Sequence, residues 1–337
     1  MLKVGILGAG TMGKTHAVSY NSLPDVEIRG IVDTDEDAGQ DLAGQYKAHS
    51  YKSIEELLEK EEVDIIDICL PTPFHKENVF KAAQASKDIL CEKPIARNLK
   101  DAQEMVKRCA EKKVKFMIAQ VLRFFPEYIA AKEIISSGKI GKPAVARTSR
   151  GASFPLGADD WYGDKDLSGG VILDMIIHDF DFLRWCFGEV KRVYTKSLLN
   201  KGLERIDYAL VTLRFSSGVI AHVEGSWAYP QGTPFRQRLE VAGTKGLLEV
   251  DLGKSSPYTM YLKQEEGAKA GVVIPEVPLS EDPYTREIKH FVECVKSDTL
   301  PSILPEDGVR AVEIALAALE SVKTGRAVEV EKGEVKS

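Results

Sequence analysis

The chain has 337 residues, a formal net charge of −6 and a charged fraction of 28%, and its lysines and arginines are spread along the sequence. A length of this order predicts two domains, because a single hydrophobic core rarely serves more than about 250–300 residues. The negative charge argues against nucleic-acid binding, which needs a concentrated basic face.

The five cysteines include no C-x-x-C pair, which is typical of a reducing compartment and gives no zinc-site spacing. No run reaches the roughly 18 uncharged apolar residues of a membrane span. A strand pattern begins at Leu2, without the pattern of a signal peptide. We therefore expect a cytoplasmic protein that binds neither nucleic acid nor a membrane.

The first part of the chain alternates short apolar runs with helical patterns. The predicted strands are Leu2–Leu7, Val26–Val32, Val63–Leu70, Asp88–Cys91 and Val114–Ala119. The predicted helices are Thr11–Leu23, Glu36–Tyr46, Ile54–Lys60, His75–Ser86 and Leu99–Lys112. Repeated β-then-α units with apolar strands require a parallel sheet covered by helices on both faces. We predict a doubly wound Rossmann domain over residues 1–121.

A glycine-rich turn follows the first strand and opens the first helix. Its G-x-G-x-x-G pattern consists of Gly8, Gly10 and Gly13, with Thr11 and Met12 between the last two. Such a turn lets the backbone approach a pyrophosphate at a helix N-terminus. Asp33 ends the second strand about 20 residues later, where a ribose-binding carboxylate is expected. The pattern predicts a dinucleotide, and the acid followed by Thr34 favours NAD over NADP.

The second part of the chain, residues 122–337, has a different pattern. Strands are predicted at Tyr208–Phe215, Val219–Trp227, Arg238–Ala242 and Gly246–Val250, with tight turns between neighbours, and a late helix at Pro305–Lys323. Hairpin-linked strands form an antiparallel sheet. We therefore predict an α+β domain here.

Lys93 is the first candidate for chemistry. It follows a strand of the first domain, within Cys91–Pro94, and ligands bind at the carboxyl edge of such sheets. There the lysine could donate to a substrate oxygen. A solvated lysine after a strand is the structural alternative.

The second candidate is a predicted buried helix over Gly169–Cys186. Asp174, His178 and Asp181 have the spacing i, i+4 and i+7, which places them on one face. A carboxylate one turn before a histidine raises its basicity and suits a general base. The alternatives are a hydrogen-bonded core histidine and a metal site formed by His178 with the carboxylates.

Polar and aromatic residues flank these candidates. Arg123, Trp161 and Tyr162 combine aromatic faces with hydrogen-bond donors, which suits a polyhydroxylated ligand. An ordinary aromatic core is the alternative interpretation.

Together these motifs resemble those of the Gfo/Idh/MocA oxidoreductases, and most closely the inositol 2-dehydrogenase-like branch. The resemblance runs along nearly the whole chain. Its landmarks are the glycine fingerprint, Pro71–His75, Glu92–Pro94, Arg123-Phe124, the G-G-x-x-x-D-x-x-x-H-D run of Gly169–Asp179, Gly243–Gly246 and Pro305–Gly308.

The resemblance implies site residues and an assembly. The catalytic set would be Lys93, Asp174 and His178, with no metal. The cofactor-binding set would be Gly8, Gly10, Thr11, Met12, Gly13, Asp33, Pro71, Thr72, His75, Glu92 and Lys93. The substrate-binding set would be Lys93, Arg123, Trp161, Tyr162, Asp174 and His178. The second domain would carry an open-faced, mainly antiparallel sheet that forms homodimers or homotetramers, and the Lys93–Pro94 bond would be cis.

The function predicted from these residues is NAD-dependent oxidation of a secondary hydroxyl of a polyol or sugar, inositol-like, to a ketone. Two alternatives stay open. One is a non-catalytic NAD-binding sensor similar to a corepressor, which would not need the lysine, aspartate and histidine. The other is an NAD-dependent glycosidase of related architecture, which would release an aglycone without accumulating NADH.

Overall fold

The computed structural model of the chain describes residues 1–157, 160–198, 205–254, 257–262, 272–273 and 281–330. The chain divides into two compact units. Unit 1 contains Met1–Phe124 and Glu281–Val312, and unit 2 contains Phe125–Ser280 and Glu313–Ser337. The prediction of a single division after residue 121 did not include the return of the chain to unit 1.

Strands and helices alternate through the first 124 residues. They are β1 (Leu2–Leu7), α1 (Thr11–Asn21), β2 (Val26–Val32), α2 (Glu36–Tyr46), β3 (His49–Tyr51), α3 (Ile54–Lys60), β4 (Ile65–Ile68), α4 (His75–Gln84), β5 (Asp88–Glu92), α5 (Leu99–Lys112) and β6 (Phe116–Ala119). Short 3₁₀ helices lie at Thr72–Phe74 and Val121–Phe124. The prediction missed only the short β3 among these strands.

These strands form one parallel sheet of unit 1 with the order β3-β2-β1-β4-β5-β6. Every residue of β4 and β6 is buried, as expected for strands covered on both faces. The chain order reverses beside β1, and ligands bind at the carboxyl ends of the strands at such a switch point. The predicted Rossmann-type sheet is confirmed.

The remaining elements follow Phe124. They are α6 (Pro126–Ser136), β7 (Pro143–Ser153), α7 (Lys165–Ser168), α8 (Gly170–Asp174), α9 (Ile177–Phe187), β8 (Val190–Ser197), β9 (Tyr208–Phe215), β10 (Ile220–Tyr229), β11 (Arg236–Gly243), β12 (Gly246–Asp251), β13 (Tyr258–Leu262), β14 (Val272–Val273), α10 (Pro283–Ser297), α11 (Pro305–Thr324) and β15 (Val328–Glu329). The four predicted strands correspond to β9–β12.

The sheet of unit 2 has the order β14-β13-β12-β11-β7-β10-β9-β8-β15. All of its neighbouring strands pair antiparallel except β7 with β10, which are parallel. Buried residues alternate with more exposed ones along β9, and α8 packs against β9 and β10. The predicted, mainly antiparallel sheet is confirmed, although the prediction did not include β7, β8, β13, β14 and β15.

Residues 281–312 belong to unit 1 because α10 packs its apolar face there. Ile288, Phe291 and Val292 of α10 are buried in the same core as Tyr20 of α1, and Ile303 joins them. Asp282 caps α10 by accepting a hydrogen bond from the Thr285 amide. None of the helices in the described ranges is long and apolar enough to cross a membrane.

Candidate active site

The glycine turn of unit 1 has the tight geometry that its sequence predicts. Gly8 has a φ of +104°, and a Cβ there would lie 2.5 Å from the carbonyl oxygen of Cys69. A Cβ on Gly13 would lie 1.8 Å from the carbonyl oxygen of Gly8. A Cβ on Gly10 would meet no atom within 4 Å. Two glycines therefore allow the turn to close, and Gly10 leaves open space beside the start of α1.

Hydrogen-bond donors and one carboxylate acceptor surround the open space beside Gly10. α1 begins at Thr11, followed by Met12, and no side chain caps its first amides. The carboxylate of Asp33 is oriented by the backbone, since Oδ2 accepts from the Ala9 amide at 2.6 Å and Oδ1 from the Asp35 amide at 2.9 Å. Amides at a helix start bind pyrophosphate, and this carboxylate can accept from a ribose hydroxyl. The residues present fit NAD.

The segment after β4 places three further predicted cofactor residues at the same edge of the sheet. Pro71 precedes a 3₁₀ turn, and Thr72 within it is buried. His75 is completely buried, with Nε2 2.7 Å from the Leu70 carbonyl and Nδ1 2.9 Å from the Pro94 carbonyl. Both ring nitrogens are thus engaged by the chain itself, which gives His75 a structural role in this unit. Its contact with a cofactor remains a prediction.

Lys93 lies directly after β5, at the same edge as the glycine turn. It is half-buried, and the Lys93–Pro94 bond is cis, as the resemblance implies. The preceding Glu92 is buried, and its Oε2 accepts a hydrogen bond from the Lys93 amide at 2.9 Å. The backbone that carries the predicted catalytic lysine is therefore held by a buried carboxylate.

Arg123 is buried and ion-paired within unit 1. It lies in the 3₁₀ helix after β6, is 8% exposed, and its Nη1 contacts Asp307 Oδ2 at 3.2 Å. Asp307 also accepts from the Leu304 amide at the start of α11. The guanidinium therefore joins two segments of unit 1. A contact between Arg123 and the substrate stays a prediction.

The predicted aromatic residues of unit 2 lie together. The rings of Trp161 and Tyr162 are 4.1 Å apart between centroids, and Tyr162 meets Trp227 edge-on at 5.9 Å. Phe154 packs edge-on against Trp227. Trp161 and Tyr162 are half-buried, whereas Trp227 is buried. The cluster thus leaves aromatic surface available, consistent with its predicted role.

The predicted single helix over Gly169–Cys186 is wrong, because the chain breaks after Asp174. The amides of Met175 and Ile176 both donate to the Val171 carbonyl, at 3.1 and 3.0 Å, so the Ile176 bond skips one residue relative to an α-helix. Asp174 therefore ends α8, and His178 lies in the first turn of α9. The two side chains therefore belong to different helices, and both are half-buried in the same unit.

Packing against the sheet explains this break. A Cβ on Gly225 of β10 would lie 2.5 Å from Cγ2 of Ile176 and 3.0 Å from Cγ2 of Val171. Asp207 anchors the start of α8 by accepting from the Val171 amide at 2.9 Å. The helix break therefore depends on residues distant in sequence, which a local pattern does not reveal.

Unit 2 also contains a buried charge cluster that the sequence analysis missed. Asp179, next to His178, accepts from Arg150 Nε at 2.5 Å, and Arg150 Nη1 donates to Gln237 at 3.0 Å. All three side chains are at least 95% buried. Burial raises the pKa of Asp179, although Arg150 opposes the shift. We call these three residues the arginine cluster.

Unit 1 contains a second buried cluster that was missed. His16 of α1 is completely buried, with Nδ1 2.8 Å from Asp67 Oδ2 and Nε2 3.3 Å from Glu92 Oε1. Burial alone would lower the pKa of His16, but the interactions with Asp67 and then Cys69 together outweigh it, and the pKa lies well above 6.5. We call His16, Asp67 and Glu92 the histidine cluster. A charged residue inside an otherwise apolar strand, such as Asp67, was the available signal.

Cys69 extends this cluster toward the glycine turn. Its Sγ lies 3.3 Å from His16 Nδ1 and 3.5 Å from Asp67 Oδ1, and the three groups have the proximity required of metal ligands. Their separations are those of hydrogen bonds, and burial raises the pKa of the Cys69 thiol, which keeps it protonated. All five cysteines are free.

Comparisons with known proteins place both units among oxidoreductases. Residues 2–120 match the model of an oxidoreductase family with an NAD-binding Rossmann fold. Residues 128–249 match the model of the GFO/IDH/MocA C-terminal domain. The two matches include the sheet of unit 1 and most strands of the sheet of unit 2.

Individual relatives are similar over their full length. A myo-inositol 2-dehydrogenase of Thermotoga maritima is 33% identical, and the match covers 98% of this chain and 99% of that protein. A 1,5-anhydro-D-fructose reductase of Ensifer adhaerens is 30% identical, with 99% of this chain and 100% of that protein covered. The crystal structure of a probable dehydrogenase from Thermotoga maritima has a TM-score of 0.82 and 32% identity, with 98% and 99% covered.

Proposed function

Because the chain belongs to the Gfo/Idh/MocA oxidoreductase family, we propose that its substrate is an inositol-like polyol or sugar and that Lys93, Asp174 and His178 carry the reaction. The chain is an NAD-dependent oxidoreductase that acts on CH–OH groups. The inositol-like substrate is supported by the inositol 2-dehydrogenases among its full-length relatives.

The observation that carries the proposal is the position of Lys93 in unit 1. The lysine follows β5 at the edge of the sheet where the glycine turn and Asp33 form the cofactor site, and Glu92 holds its backbone amide. An ammonium at that edge can donate a hydrogen bond to an oxygen of a bound substrate.

The proposed roles follow from the chemistry of the side chains. His178 accepts the proton of the substrate hydroxyl, and Asp174 orients the imidazole and stabilises its charged form. Lys93 stabilises the oxygen as negative charge develops on it. When bound, NAD supplies the hydride acceptor. The same three residues argue against a sensor, and the named relatives give no support to a glycosidase.

Substitutions at two positions test these roles. Purified protein is mixed with NAD or NADP and a panel of inositols and sugars, and NADH or NADPH is followed by its absorbance. We expect turnover with NAD, and we expect Lys93→Ala and His178→Ala each to lower kcat by about 100-fold or more while NAD affinity is retained. Near-normal kcat in both variants would reject the assignment.

The assembly and location are part of the same proposal. We propose a cytoplasmic homodimer or homotetramer formed through the sheet of unit 2. Large apolar side chains stand exposed on its strands, namely Tyr194, Leu210, Ile220 and Tyr261, and such a surface favours association. Light scattering that gives a monomer mass at micromolar concentration would contradict the oligomer.

A further inference from the structure

The histidine cluster buries a positive charge, that of His16, close to the predicted catalytic Lys93. Asp67 and Glu92 are buried carboxylates, and each faces a different nitrogen of the His16 ring. A neutral imidazole has one N–H donor, whereas the imidazolium has two. Only the imidazolium places a positive charge between the two carboxylates, hydrogen-bonded to Asp67 at 2.8 Å and 3.3 Å from Glu92, and two buried carboxylates without a counter-ion would carry a large desolvation cost. The geometry therefore favours a charged His16.

The other groups around His16 on α1, β4 and α10 do not supply this charge, and the nearby positive group after β5 is the Lys93 ammonium, which helps to lower the pKa of Glu92. On α1 itself, Tyr20 lies one turn further along and is completely buried. Cys69 contributes a protonated thiol from the end of β4. From α10, the ring of Tyr284 lies 6.4 Å from that of His16, and burial raises the pKa of Tyr284 to about 12. The buried Glu287 of α10 adds a further acidic group.

The cluster is connected to the lysine through Glu92. One oxygen of the Glu92 carboxylate faces His16, and the other accepts from the Lys93 amide at 2.9 Å. On the other side of the lysine, the Pro94 carbonyl lies 2.9 Å from Nδ1 of the buried His75. The backbone on both sides of Lys93 is thus tied to a buried histidine, directly at Pro94 and through Glu92 at the lysine itself.

We propose that His16 is a positioning residue for Lys93, acting through Glu92. The imidazolium, oriented by Asp67, fixes the Glu92 carboxylate, and this carboxylate fixes the Lys93 amide and hence the starting point of the lysine side chain. The inference rests on the proposed function only for its effect on turnover. The hydrogen bond from the Lys93 amide to Glu92 lies within unit 1 and can be measured without substrate.

The first experiment measures that amide directly. In the full-length protein labelled with ¹⁵N-lysine, the exchange rate of the Lys93 amide is compared between wild type and His16→Gln. We expect exchange to become faster by about tenfold or more when the carboxylate loses its partner, because a tenfold change corresponds to about 1.4 kcal/mol of lost protection. ¹⁵N-histidine labelling should show one histidine with both ring nitrogens protonated at pH 7.5, and that signal should disappear in the variant.

Turnover provides the second measurement. We expect His16→Gln to lower kcat roughly 10- to 100-fold with little change in the KM for NAD, because misplacing a catalytic group reduces the chemical step more than binding. Glu92→Gln, which keeps an oxygen for the Lys93 amide, should lose less. If His16→Gln does not fold, Asp67→Asn provides the milder test and should shift both quantities in the same direction.

A matched control is available in the same unit. His49 also contacts a carboxylate, with Nδ1 2.6 Å from Glu61 Oε1, but its side chain is 68% exposed. His49→Gln should leave the Lys93 exchange rate and kcat unchanged.

The possible outcomes are distinguishable. Unchanged Lys93 exchange and unchanged kcat in His16→Gln would overturn the inference. Loss of amide protection after treatment of wild type with EDTA, with recovery on adding Zn²⁺, would also overturn it in favour of a metal bound by His16, Asp67 and Cys69. Failure of the proposed function looks different: Lys93→Ala would keep its turnover while His16→Gln still exposed the Lys93 amide.

Discussion

The two units contain buried charge clusters that are alike in position and different in chemistry. In unit 1 the histidine cluster includes Glu92, the residue before Lys93. In unit 2 the arginine cluster includes Asp179, the residue after His178. In each case a buried carboxylate adjoins a predicted catalytic residue, and a buried cation on another element of the same unit holds that carboxylate.

The difference lies in the cation. A guanidinium is not deprotonated in proteins, whereas the charge of an imidazole depends on pH. One guanidinium in unit 2 faces one carboxylate and an amide, whereas one imidazolium in unit 1 faces two carboxylates. We therefore expect the arginine cluster to be a fixed support and the histidine cluster to be one that alkaline pH can weaken.

The largest loss of stability is expected from removing the guanidinium of Arg150. Arg150→Met leaves the Asp179 carboxylate buried without its counter-ion, which should lower the free energy of unfolding by about 3–5 kcal/mol. Urea denaturation followed by tryptophan fluorescence reports on the unit that contains the arginine cluster, since Trp161, Trp185 and Trp227 all lie in unit 2.

The same strand supplies the control for Arg150. Arg147 of β7 is paired with Glu240, but its side chain is 56% exposed, so Arg147→Met should cost less than about 1 kcal/mol. The double variant Arg150→Met with Asp179→Leu removes both charges and should recover part of the loss. Equal losses in the free energy of unfolding for Arg147→Met and Arg150→Met would show that the buried pair of Arg150 and Asp179 does not stabilise unit 2.

The sequence predicted the parts of the molecule that local patterns determine. The bounds of β1, β2, α2 and α5 agree with the structure, because apolar runs there end at glycine or polar residues and the helices begin after capping residues. The glycine turn was predicted for the same reason. Its three glycines and Asp33 lie within one β-α-β segment, where spacing along the chain translates directly into geometry.

The parts that were missed depend on contacts between distant segments. Asp67 is 51 residues from His16, and Arg150 is 87 residues from Gln237. Gly225 of β10 packs against the break between α8 and α9, and Asp207, just before β9, holds the start of α8. Helical periodicity does not reveal these contacts, so it predicted one continuous helix. A local pattern shows that a polar residue lies in an apolar run, but it does not show which partner compensates it.

A smaller effect, on stability and on NAD affinity, is expected from a change in the glycine turn of unit 1. Gly13→Ala forces the Gly8 carbonyl to move, which should lower the free energy of unfolding by about 1–3 kcal/mol and weaken NAD binding, because the turn no longer holds its backbone for the pyrophosphate. NADH fluorescence titration measures the affinity, and thermal unfolding without cofactor measures the stability, which should also fall.

Gly10→Ala separates ligand contact from folding. A methyl group there meets no atom of the described residues beyond its chain neighbours within 4 Å, so thermal unfolding should stay unchanged. NAD binding should weaken, because the methyl group occupies the space proposed for the pyrophosphate. Gly44→Ala, in open space on α2, should leave binding unchanged. Full NAD affinity in Gly10→Ala would contradict the placement of the cofactor.

The smallest effect, and the most direct test of the comparison, is the pH dependence of the histidine cluster. Burial lowers the pKa of His16 in the folded protein, but the interactions with Asp67 and Cys69 together raise it well above the 6.5 of an unperturbed imidazole. A group whose pKa is higher in the folded state contributes its full stabilisation below its unfolded pKa. It loses that stabilisation as the pH rises through the folded pKa.

The difference in free energy of unfolding between wild type and His16→Gln should therefore be largest below about pH 6.5 and decrease above it, by at most about 1.4 kcal/mol per pH unit. Urea denaturation followed by far-UV circular dichroism between pH 6 and 9 measures this difference. The loss caused by Arg150→Met should instead increase with pH, because burial raises the pKa of Asp179 and the guanidinium that opposes this shift is gone, so the buried carboxyl costs more as it ionises. A His16→Gln difference that does not decrease with pH would mean that His16 keeps one charge state throughout, and the expected contrast between the two clusters would be lost.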